Sequence, residues 1–478
     1  MSGTALVTGA TGFIGRALIP ALLDDGWNVR LLVRDRSRLS SDVISRVDII
    51  EGDAWSPDDV GEALDQVDVA YYLLHSMAAG ADFATQDREL AQRFAHAAKE
   101  AGVSRIVYLS GLHPNDQQLS EHLASRVEVG DILLASGVPT AVLQAGVVLG
   151  RDSASFQMLR HLTERLPAAF GPRWLNSRIQ PIALADVIFY LVKAAYLPAD
   201  VNRTIDIGMP ETMTYSDMMR RYAQVAGLAR RRVGTVPVLT PRIASHWVGF
   251  ITPVSSKVAK PLVGSLIHDA VCHESDAPTL LGTPSEGLTD FDQAVRHANQ
   301  ADDPKLWGQT LSKVSAAVLA CALAGGILTT PNSSWYQALR KPRWQPPAQA
   351  FPIVWTPLFT GIAIASSAHL HELTEQGKTQ EATAFKRALT GNLLLNAGWS
   401  GLFFRTHNLP LATIGAAALA ASSWDLARRS RSTGRGKAAT LGTYAAWTTF
   451  ATALTASVAA LNPVRKLDGQ RGDQTART

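Results

Sequence analysis

Three glycines near the amino terminus have the spacing of a phosphate-binding turn. Gly9, Gly12 and Gly15 lie between a short apolar run, Thr4–Ala10, and a segment with helical periodicity, Arg16–Asp25. Small residues let the main chain approach a pyrophosphate, and the first amides of the following helix can then bind its oxygens. The strand–turn–helix context favours a bound dinucleotide over a tight turn without a ligand. We predict that the cofactor contacts Gly9, Thr11, Gly12, Phe13, Ile14 and Gly15.

The residues after the second and third predicted strands bear on which cofactor is bound. An acidic side chain after the second strand accepts a hydrogen bond from the ribose 2′-hydroxyl of NAD, whereas an arginine pairs with the 2′-phosphate of NADP. Arg34, with Arg36 and Arg38 nearby, favours NADP(H) over NAD(H), and Asp35 keeps NAD(H) as the alternative. Asp53, after the third strand, is predicted to accept from the adenine amino group, with a helix N-cap as the alternative.

Apolar strands alternate with helical segments through this part of the chain. The predicted strands are Thr4–Ala10, Asn28–Arg34, Val47–Ile50, Asp68–Leu74, Arg105–Ser110 and Thr140–Gly146. One of the helical segments between them is Phe83–Ala101. This alternation predicts an α/β fold of the Rossmann type, with a doubly wound parallel sheet.

Several segments of this first part match one superfamily. They are TGATGFIG (8–15), LLVRD (31–35), EGDAWSPDDV (51–60), RIVYLSGL (105–112), the segment 121–146 and IQPIALADV (179–187). Together they resemble the atypical short-chain dehydrogenase/reductase superfamily, in particular its NmrA-like and YbjT-like NAD(P)-binding members. The resemblance implies an NAD(P)-binding domain over about residues 1–300, with a C-terminal subdomain from about residue 200. The apolar segment 236–254 is expected to pack in that subdomain rather than cross a membrane, because three prolines, an Arg and a His interrupt it.

The catalytic residues of an ordinary dehydrogenase are missing from the sequence. Such enzymes use a Tyr and a Lys one helical turn apart, and this chain has no Tyr-x-x-x-Lys. In the resemblance, Ser110 stands at the active-site serine position, and His122 and Arg126 replace the Tyr and Lys. Histidine can move protons near neutral pH and arginine can stabilise an anion, so this trio is the candidate catalytic site. The alternative is an exposed helix beside a cofactor used for sensing or structure. His75 and Gln144 are further pocket candidates.

The charge and hydropathy of the chain change near residue 308. Residues 1–308 carry 28 Lys and Arg against 35 Asp and Glu, whereas residues 309–478 carry 17 against 6. The overall mean hydropathy of +0.04 therefore describes neither part. Two cysteines exclude a disulfide scaffold, and the 46% hydrophobic content excludes disorder over most of the chain. Nucleic-acid binding is disfavoured because the positive charge lies beside apolar spans. No secretory signal is recognisable at Met1, so the first part is expected to stay in the cytoplasm.

The second part contains five stretches long and apolar enough to cross a bilayer. They are approximately Leu311–Thr330, Phe351–Leu370, Ala388–Phe404, Pro410–Leu426 and Ala438–Leu461. Abundant small residues in them favour close helix packing in lipid, and a soluble Ala-rich bundle is the alternative. The loop 428–437 carries five basic residues, which the positive-inside rule puts in the cytoplasm with the cofactor domain. No pattern of iron or other metal ligands is visible, and Cys321 is expected to serve packing.

Tryptophan and proline recur in this second part at specific positions. The segments WYQALRKPRWQPPAQAFPIVWTPLF (335–359) and NLLLNAGWSGLFF (392–404) resemble the TspO/MBR family, the tryptophan-rich sensory or translocator proteins. The resemblance implies an all-α bundle of five transmembrane helices, often dimeric, with a pocket for porphyrins, other tetrapyrroles or sterol-like ligands. The pocket positions carried over are Trp335, Trp344, Trp355, Asn396, Trp399 and Phe403. The alternative for each is an interfacial or helix-packing role.

These patterns predict a fusion of two domains in one membrane protein. We expect the cofactor domain at 1–300, a linker at 301–310, the TspO/MBR-like bundle at 311–463 and a polar tail at 464–478. The leading hypothesis is an NAD(P)H-binding protein whose bundle binds or transports a tetrapyrrole or similar hydrophobic ligand in redox-linked sensing. The alternative is an NADPH-dependent reductase of a membrane-derived substrate, with the bundle as anchor or channel. A third hypothesis is a non-catalytic redox sensor.

Overall fold

The computed structural model of the chain describes residues 3–75, 83–114, 119–235, 252, 254 and 256–463. It divides into two compact units, Met1–Pro304 and Lys305–Thr478, which are described separately. The apolar segment 236–254 lies outside the described residues except for Thr252 and Val254, and the tail 464–478 lies wholly outside them.

The described part of the first unit is built on a seven-stranded parallel sheet. Its strands, numbered in chain order, are β1 (Thr4–Thr8), β2 (Asn28–Val33), β3 (Asp48–Glu51), β4 (Val69–Tyr72), β5 (Arg105–Gly111), β6 (Thr140–Ala145) and β11 (Arg203–Ile207). Their spatial order is β11-β6-β5-β4-β1-β2-β3, with every neighbouring pair parallel. The predicted doubly wound sheet is confirmed, with each predicted strand within two residues of its observed ends. The seventh strand, β11, was not predicted.

Helices cover both faces of this sheet, α1 and α7 on one face and α3, α4 and α5 on the other. The α-helices of the described part of the unit are α1 (Phe13–Asp24), α2 (Ser41–Ile44), α3 (Pro57–Leu64), α4 (Phe83–Glu100), α5 (Glu121–Leu134), α6 (Ala154–Arg165), α7 (Leu184–Ala194), α8 (Tyr215–Val225), α9 (Ser256–Ser265), α10 (Ala277–Leu281) and α11 (Phe291–Ala298). Ala5 and Val7 of β1 join the core under α1 and α7, whereas Leu6 joins the core under α3, α4 and α5. A strand buried on both faces needs apolar residues at successive positions, which is why TALVT reads as a continuous run.

A second core belongs to the C-terminal subdomain of this unit. It surrounds α6, α8 and α11, and three short two-stranded ladders border it. The ladders are β7 (Val148–Leu149) with β10 (Ile182–Ala183), β9 (Arg178–Ile179) with β12 (Met213–Thr214), and β8 (Ala168–Gly171) with β13 (Arg232–Thr235). This core begins at Val147, earlier than the expected start near residue 200, because the chain leaves the sheet after β6 and returns for β11.

All the secondary structure of the second unit, described over residues 305–463, is helical. Its helices are α12 (Leu306–Leu328), the short α13 (Ser334–Ala338), α14 (Ala350–Glu375), α15 (Thr379–Phe404), α16 (Leu409–Ser430) and α17 (Arg435–Leu461). The long helices close a ring in the order α12-α14-α17-α16-α15. Large apolar side chains such as Leu323, Ile353 and Ile414 point outward from it, as expected for a surface in contact with lipid.

The long helices differ in whether they are apolar enough to cross a membrane. Of the described residues, α12, α14 and α16 are long and apolar enough to cross a membrane. The helices α15 and α17 do not reach the same limit, so the predicted number of five spans stays a prediction. The first long helix begins at Leu306, inside the expected linker 301–310 and five residues before the expected span.

Candidate functional site

The glycine turn after β1 has the geometry that a phosphate-binding loop requires. Gly9 has φ +67°, and a Cβ atom there would lie 2.5 Å from the carbonyl oxygen of Leu73. The amide of Gly12 donates to the carbonyl of Gly9 at 2.9 Å and closes the turn. A Cβ on Gly15 would lie 2.5 Å from the same Gly9 carbonyl oxygen and 2.8 Å from Cα of Ala10. Only glycine at these positions lets α1 begin so close to the end of β1.

The start of α1 is suited to an anion. Helix α1 begins at Phe13. Its N-cap residue is Gly12, which has no side chain that could accept hydrogen bonds from the amides of the first turn. That turn also contains no acidic residue. Its amides are therefore available to phosphate oxygens, and the helix dipole favours negative charge there. The predicted contact residues Thr11, Phe13 and Ile14 are all half-buried beside the turn.

Directly after β2, one arginine side chain is exposed, and the carboxylate of the following aspartate is hydrogen-bonded within its own turn. Arg34 is exposed directly after the strand. Oδ1 of Asp35 accepts hydrogen bonds from the amide of Ser37 at 3.0 Å and from its hydroxyl at 2.6 Å. These bonds lower the pKa of Asp35 and cap the 3-10 turn Arg36–Arg38. The Asp35 carboxylate therefore already has a structural role.

Asp53 is exposed after β3, and the alternative prediction that it caps the start of a helix is wrong. The N-cap of α3 is Ser56, whose hydroxyl accepts from the amide of Asp59. The carboxylate of Asp53 instead accepts from the amide of Trp55 at 3.1 Å. The predicted contact with an adenine amino group stays a prediction.

The predicted catalytic trio is assembled by β5 and α5. Ser110 ends the buried part of β5 and is 2% exposed, and its hydroxyl donates to the main-chain carbonyl of Arg126 at 3.4 Å. The hydroxyl of Tyr108 donates to the same carbonyl at 3.3 Å. His122 and Arg126 lie one turn apart on α5, whose N-cap is Ser120. His122 is 8% exposed, so the alternative of an exposed helix is wrong at that position.

The hydrogen-bond partner of His122 is His75 rather than Ser110. Nδ1 of His122 lies 3.2 Å from Nε2 of His75, and the ring centroids are 4.7 Å apart. Nδ1 of His75 lies 3.0 Å from Oδ2 of Asp87. Asp87 is 3% exposed and its Oδ2 also accepts from the hydroxyl of Ser125 at 3.3 Å. The structure thus joins residues of three segments into one buried chain, Asp87–His75–His122.

Sequence reasoning found His75 but missed Asp87. The buried positions of α4 include Asp87, Leu90, Ala91 and Phe94, which recur at helical spacing. A carboxylate on the apolar stripe of an amphipathic helix needs a buried partner. That signal was present in the sequence and pointed to a polar site under α4.

Burial and a neighbouring cation determine the charge of both histidines. Burial lowers the pKa of His122 to about 3, with further contributions from Arg126 and His75. Burial, followed by Arg126, also lowers the pKa of His75, although Asp87 acts in the opposite direction. Both rings are therefore neutral near pH 7. Nε of Arg126 is buried without a hydrogen-bond partner, so this guanidinium retains capacity to bind an anion.

A cavity of about 180 Å³ adjoins Ser110. Its walls are formed by β5, β6, β11 and α5, through Ser110, His113, Val127, Gly130, Asp131, Val142, Gln144 and Thr204. Nε2 of Gln144 lies 3.2 Å from Nε2 of His113. The pocket candidate Gln144 therefore lines the same cavity as Ser110.

In the second unit, a polar network connects three helices. Nδ2 of Asn396 donates to the hydroxyl of Tyr444 at 2.9 Å, and that hydroxyl donates to Oδ1 of Asn392 at 3.0 Å. Nδ2 of Asn392 donates to the hydroxyl of Ser423 at 3.0 Å. The thiol of Cys321 donates to the carbonyl of Leu393 at 3.3 Å, which agrees with the packing role expected for it. Every amide of the two asparagines is thereby engaged inside the bundle.

The predicted pocket aromatics fall into three groups of contacting rings. Trp335, Trp399 and Phe403 form the first, with ring centroids 5.6 Å apart for Trp335–Phe403 and 5.5 Å for Trp399–Phe403. His407 stacks on Trp335 at 4.2 Å. The second group contains Trp344, Phe351, Trp447 and Phe450. The third contains Trp355, Phe359 and Tyr444. Asn396 contacts Tyr444 of the third group. Sequence reasoning missed Tyr444 and Ser423.

The fold and the glycine turn define a nicotinamide-dinucleotide-binding domain, followed by a helical membrane domain. The solved structure of a Citrobacter sp. triphenylmethane reductase covers 62% of this chain and 99% of its own, with 18% identity and a TM-score of 0.50. This likeness concerns the fold of the first unit. The sequence model of the NAD(P)H-binding family matches residues 9–145.

The sequence model of the TspO/MBR family matches residues 314–461. This chain therefore joins an NAD(P)H-binding domain to a TspO/MBR domain, and it is an integral membrane protein.

Two relatives align with the separate units. A ceramide reductase of Caulobacter vibrioides is 28% identical over 60% of this chain and 92% of its own length. The tryptophan-rich protein TspO of Chlorobaculum tepidum is 38% identical over 22% of this chain. In that second alignment the chain spans 63% of the length of its relative.

Proposed function

We propose that the protein is an NAD(P)H-dependent reductase of a hydrophobic, membrane-derived carbonyl compound. The observation that carries this proposal is the buried polar cluster beside the glycine turn. The turn follows β1, His75 follows β4 and Ser110 lies at the end of β5, and these three strands are neighbours in a parallel sheet. Their carboxyl ends share one edge, where ligands of such sheets bind. The similarity to a ceramide reductase over nearly its whole length supports the same class of reaction.

The cluster contains the groups that a carbonyl reduction requires. When bound, the nicotinamide ring supplies the hydride. Ser110 and His122 bind the carbonyl oxygen in this proposal, and His122 gives it the proton. Arg126, with its buried and unpartnered Nε, stabilises the negative charge that develops on that oxygen. The cavity next to Ser110 receives the polar end of the substrate.

The exposed arginines after β2 support NADP(H) as the cofactor. Arg34, Arg36 and Arg38 follow β2 and are exposed, and an arginine after this strand can bind the 2′-phosphate of NADP in this type of fold. Asp35, the residue that would favour NAD(H), has both of its Ser37 hydrogen bonds within its own turn. We therefore expect the protein to prefer NADPH to NADH, and we expect Arg34 to bind the 2′-phosphate on which this preference depends.

Hydride transfer by the purified full chain tests the proposal. In detergent micelles we expect oxidation of NADPH by one or more of a ketone-bearing ceramide, a quinone and an isoprenoid aldehyde, with NADH less effective. Because a charge-assisted hydrogen bond contributes about 1.5–3 kcal/mol, Arg34→Ala should weaken NADPH binding roughly 10-fold to 100-fold and leave NADH binding unchanged. Arg46→Ala, a partly exposed arginine away from the turn, is the matched control. Wild-type protein that oxidises NADPH with none of the three compounds would rule the proposal out.

A second candidate function is ligand binding by the bundle, in redox-linked sensing of a tetrapyrrole or similar hydrophobic molecule. The specific observation is the indole of Trp399, whose Nε1 is buried without a hydrogen-bond partner although its ring stacks on Phe403. A flat macrocycle with polar edges offers both an aromatic surface and an acceptor. The first unit is cytoplasmic in this proposal, because the basic loop 428–437 and the nicotinamide cofactor pool belong to the same side.

Quenching of tryptophan fluorescence by protoporphyrin tests this second function. We expect saturable quenching by the wild-type chain. Trp399→Phe keeps the aromatic surface but removes the N–H group, so it should weaken binding roughly fivefold to tenfold, the value of one hydrogen bond. Trp424→Phe is the matched control, because that exposed indole on α16 already donates to Thr449. Protoporphyrin that leaves the fluorescence unchanged would contradict binding.

A further inference from the structure

We propose that Asp87 and His75 form a proton relay to His122, so that Asp87 is the proton reservoir of the reductase site. This inference rests on the proposed reductase function and deepens it. Asp87 and His75 act through His122 and are therefore positioning residues, whereas His122 meets the substrate.

The relay is continuous and is drawn from three separate segments. His75 follows β4, Asp87 lies in the second turn of α4 and His122 lies in the first turn of α5. The two links measure 3.0 Å between Asp87 and His75 and 3.2 Å between His75 and His122. Nδ1 of His122 is occupied by this second link. Nε2 is therefore the nitrogen of His122 that is left for a substrate.

The geometry fixes the tautomers once the state of Asp87 is given. If Asp87 is ionised, it accepts from Nδ1–H of His75, and Nε2 of His75 accepts from Nδ1–H of His122. Nε2 of His122 then carries a lone pair and accepts a proton from an alcohol. If Asp87 is protonated, each link reverses, and Nε2 of His122 carries the proton that a carbonyl oxygen needs.

The reaction balances through these two states. In the reductive direction a bound NADPH would supply the hydride that bonds to the carbonyl carbon, and it would be oxidised as the carbonyl is reduced to an alcohol. The N–H bond at Nε2 of His122 breaks as the alcohol O–H bond forms. One proton passes from His75 to Nδ1 of His122, and one passes from Asp87 to Nδ1 of His75. Asp87 ends ionised and both rings remain neutral throughout.

The surroundings favour neutral rings over an imidazolium. The titratable groups of the described residues that act on this cluster include Asp87 of α4, Arg126 of α5, Tyr108 of β5 and Tyr72 of β4. Burial raises the pKa of both tyrosines, so neither carries charge near pH 7. Burial and the Arg126 guanidinium lower the pKa of both histidines. A relay that creates no imidazolium avoids placing a second cation beside Arg126.

The ionisation of Asp87 therefore sets opposite pH profiles for the two directions of the reaction. Carbonyl reduction needs protonated Asp87, so its single-turnover rate should fall as pH rises. Alcohol oxidation with NADP⁺ needs ionised Asp87, so its rate should rise over the same interval. Asp87→Asn should flatten both profiles and slow both reactions roughly 10-fold to 100-fold, a part of the usual value of acid–base catalysis. His75→Gln should have the same effect.

The experiment uses the full chain in micelles. Its substrate is whichever of the ceramide ketone, the quinone and the isoprenoid aldehyde the wild type reduces fastest. Glu100→Gln, an exposed carboxylate on the same helix α4, is the matched control and should keep both profiles. NADPH binding is measured for each variant to show that it is folded. If a variant does not bind NADPH, the relay is tested instead on the wild type, by measuring its reaction rate in mixtures of H₂O and D₂O. Transfer of several protons in one step makes the rate depend on the D₂O fraction along a curve rather than a straight line.

Each result has one meaning. Wild-type protein without hydride transfer overturns the reductase function and the relay with it. If the wild type is active, and the Asp87→Asn and His75→Gln variants bind NADPH and keep the pH profiles of the wild type, the relay alone is overturned. A linear dependence on the D₂O fraction also overturns the relay alone.

Discussion

Replacement of His122 by alanine is expected to lower NADPH-dependent carbonyl reduction by about 100-fold to 10,000-fold, the usual contribution of a general acid. The physical reason is the position of the imidazole, which is buried on α5 and bonded through Nδ1 to His75. Its removal leaves no proton donor at that position, while the glycine turn that binds the phosphates is untouched. The affinity for NADPH should therefore stay within about twofold of the wild type, since less than 0.5 kcal/mol is expected from a site without contacts to the phosphates.

The control for this substitution is another histidine of the same unit. His96→Ala removes an exposed imidazole on α4 whose partner is Glu100, and it should leave the rate unchanged. A His122→Ala protein that binds NADPH and reduces the carbonyl at the wild-type rate would remove His122 from the mechanism. Ser110 and Arg126 would then have to supply the proton path by another route.

Replacement of Gly9 by alanine is expected to abolish NADPH binding and to lower the free energy of unfolding of the first unit by roughly 2–4 kcal/mol. Two effects combine at this position. An alanine at φ +67° is strained, and its Cβ would lie 2.5 Å from the carbonyl oxygen of Leu73, a main-chain atom that cannot rotate away. The turn must open to relieve this contact, which moves the amides at the start of α1. Calorimetry and NADPH titration of the same sample measure both effects.

Gly26 provides a control that separates strain from contact. It also has a positive φ, +91°, but a Cβ atom there would meet nothing within 4 Å. Gly26→Ala should therefore cost only the backbone strain, about 1–2 kcal/mol, and leave NADPH binding intact. Equal losses of stability in the two variants, with NADPH still bound by Gly9→Ala, would show that the turn is not the cofactor site.

The strands and the glycine turn could be predicted because their signals are local. Each of the first six sheet strands is a short apolar run followed by a helical pattern, and the period changes where the structure changes. Gly15 could be assigned because the contacts that exclude a side chain there come from Gly9 and Ala10, whereas those at Gly9 come from Leu73, which is distant in sequence. The strand β11 was missed because RTIDI contains three polar residues and pairs with β6, more than 60 residues earlier.

The polar clusters could be predicted only in part, since their partners are distant in sequence. His75 and His122 were identified separately as candidates, but Asp87 becomes meaningful only when α4 packs beside α5. In the bundle, Asn396 was assigned from its motif, whereas its partner Tyr444 lies 48 residues later on another helix. The aromatic residues were expected to line one pocket, but the ring contacts divide them among three groups. Spacing in the sequence carries no information about which helices are neighbours.

The hydrogen bonds between α15 and α17 have a consequence for biogenesis. Neither helix is among the three that are long and apolar enough to cross a membrane, and both carry polar groups that meet at Tyr444. Asn392 and Asn396 are synthesised before Tyr444, by 52 and 48 residues respectively. If α15 crosses the bilayer, as the sequence predicts, a newly made α15 has two amides whose tyrosine partner does not yet exist, and in lipid such groups oppose insertion. Its stable integration is then expected to wait for α17, so that the last helix completes the bundle.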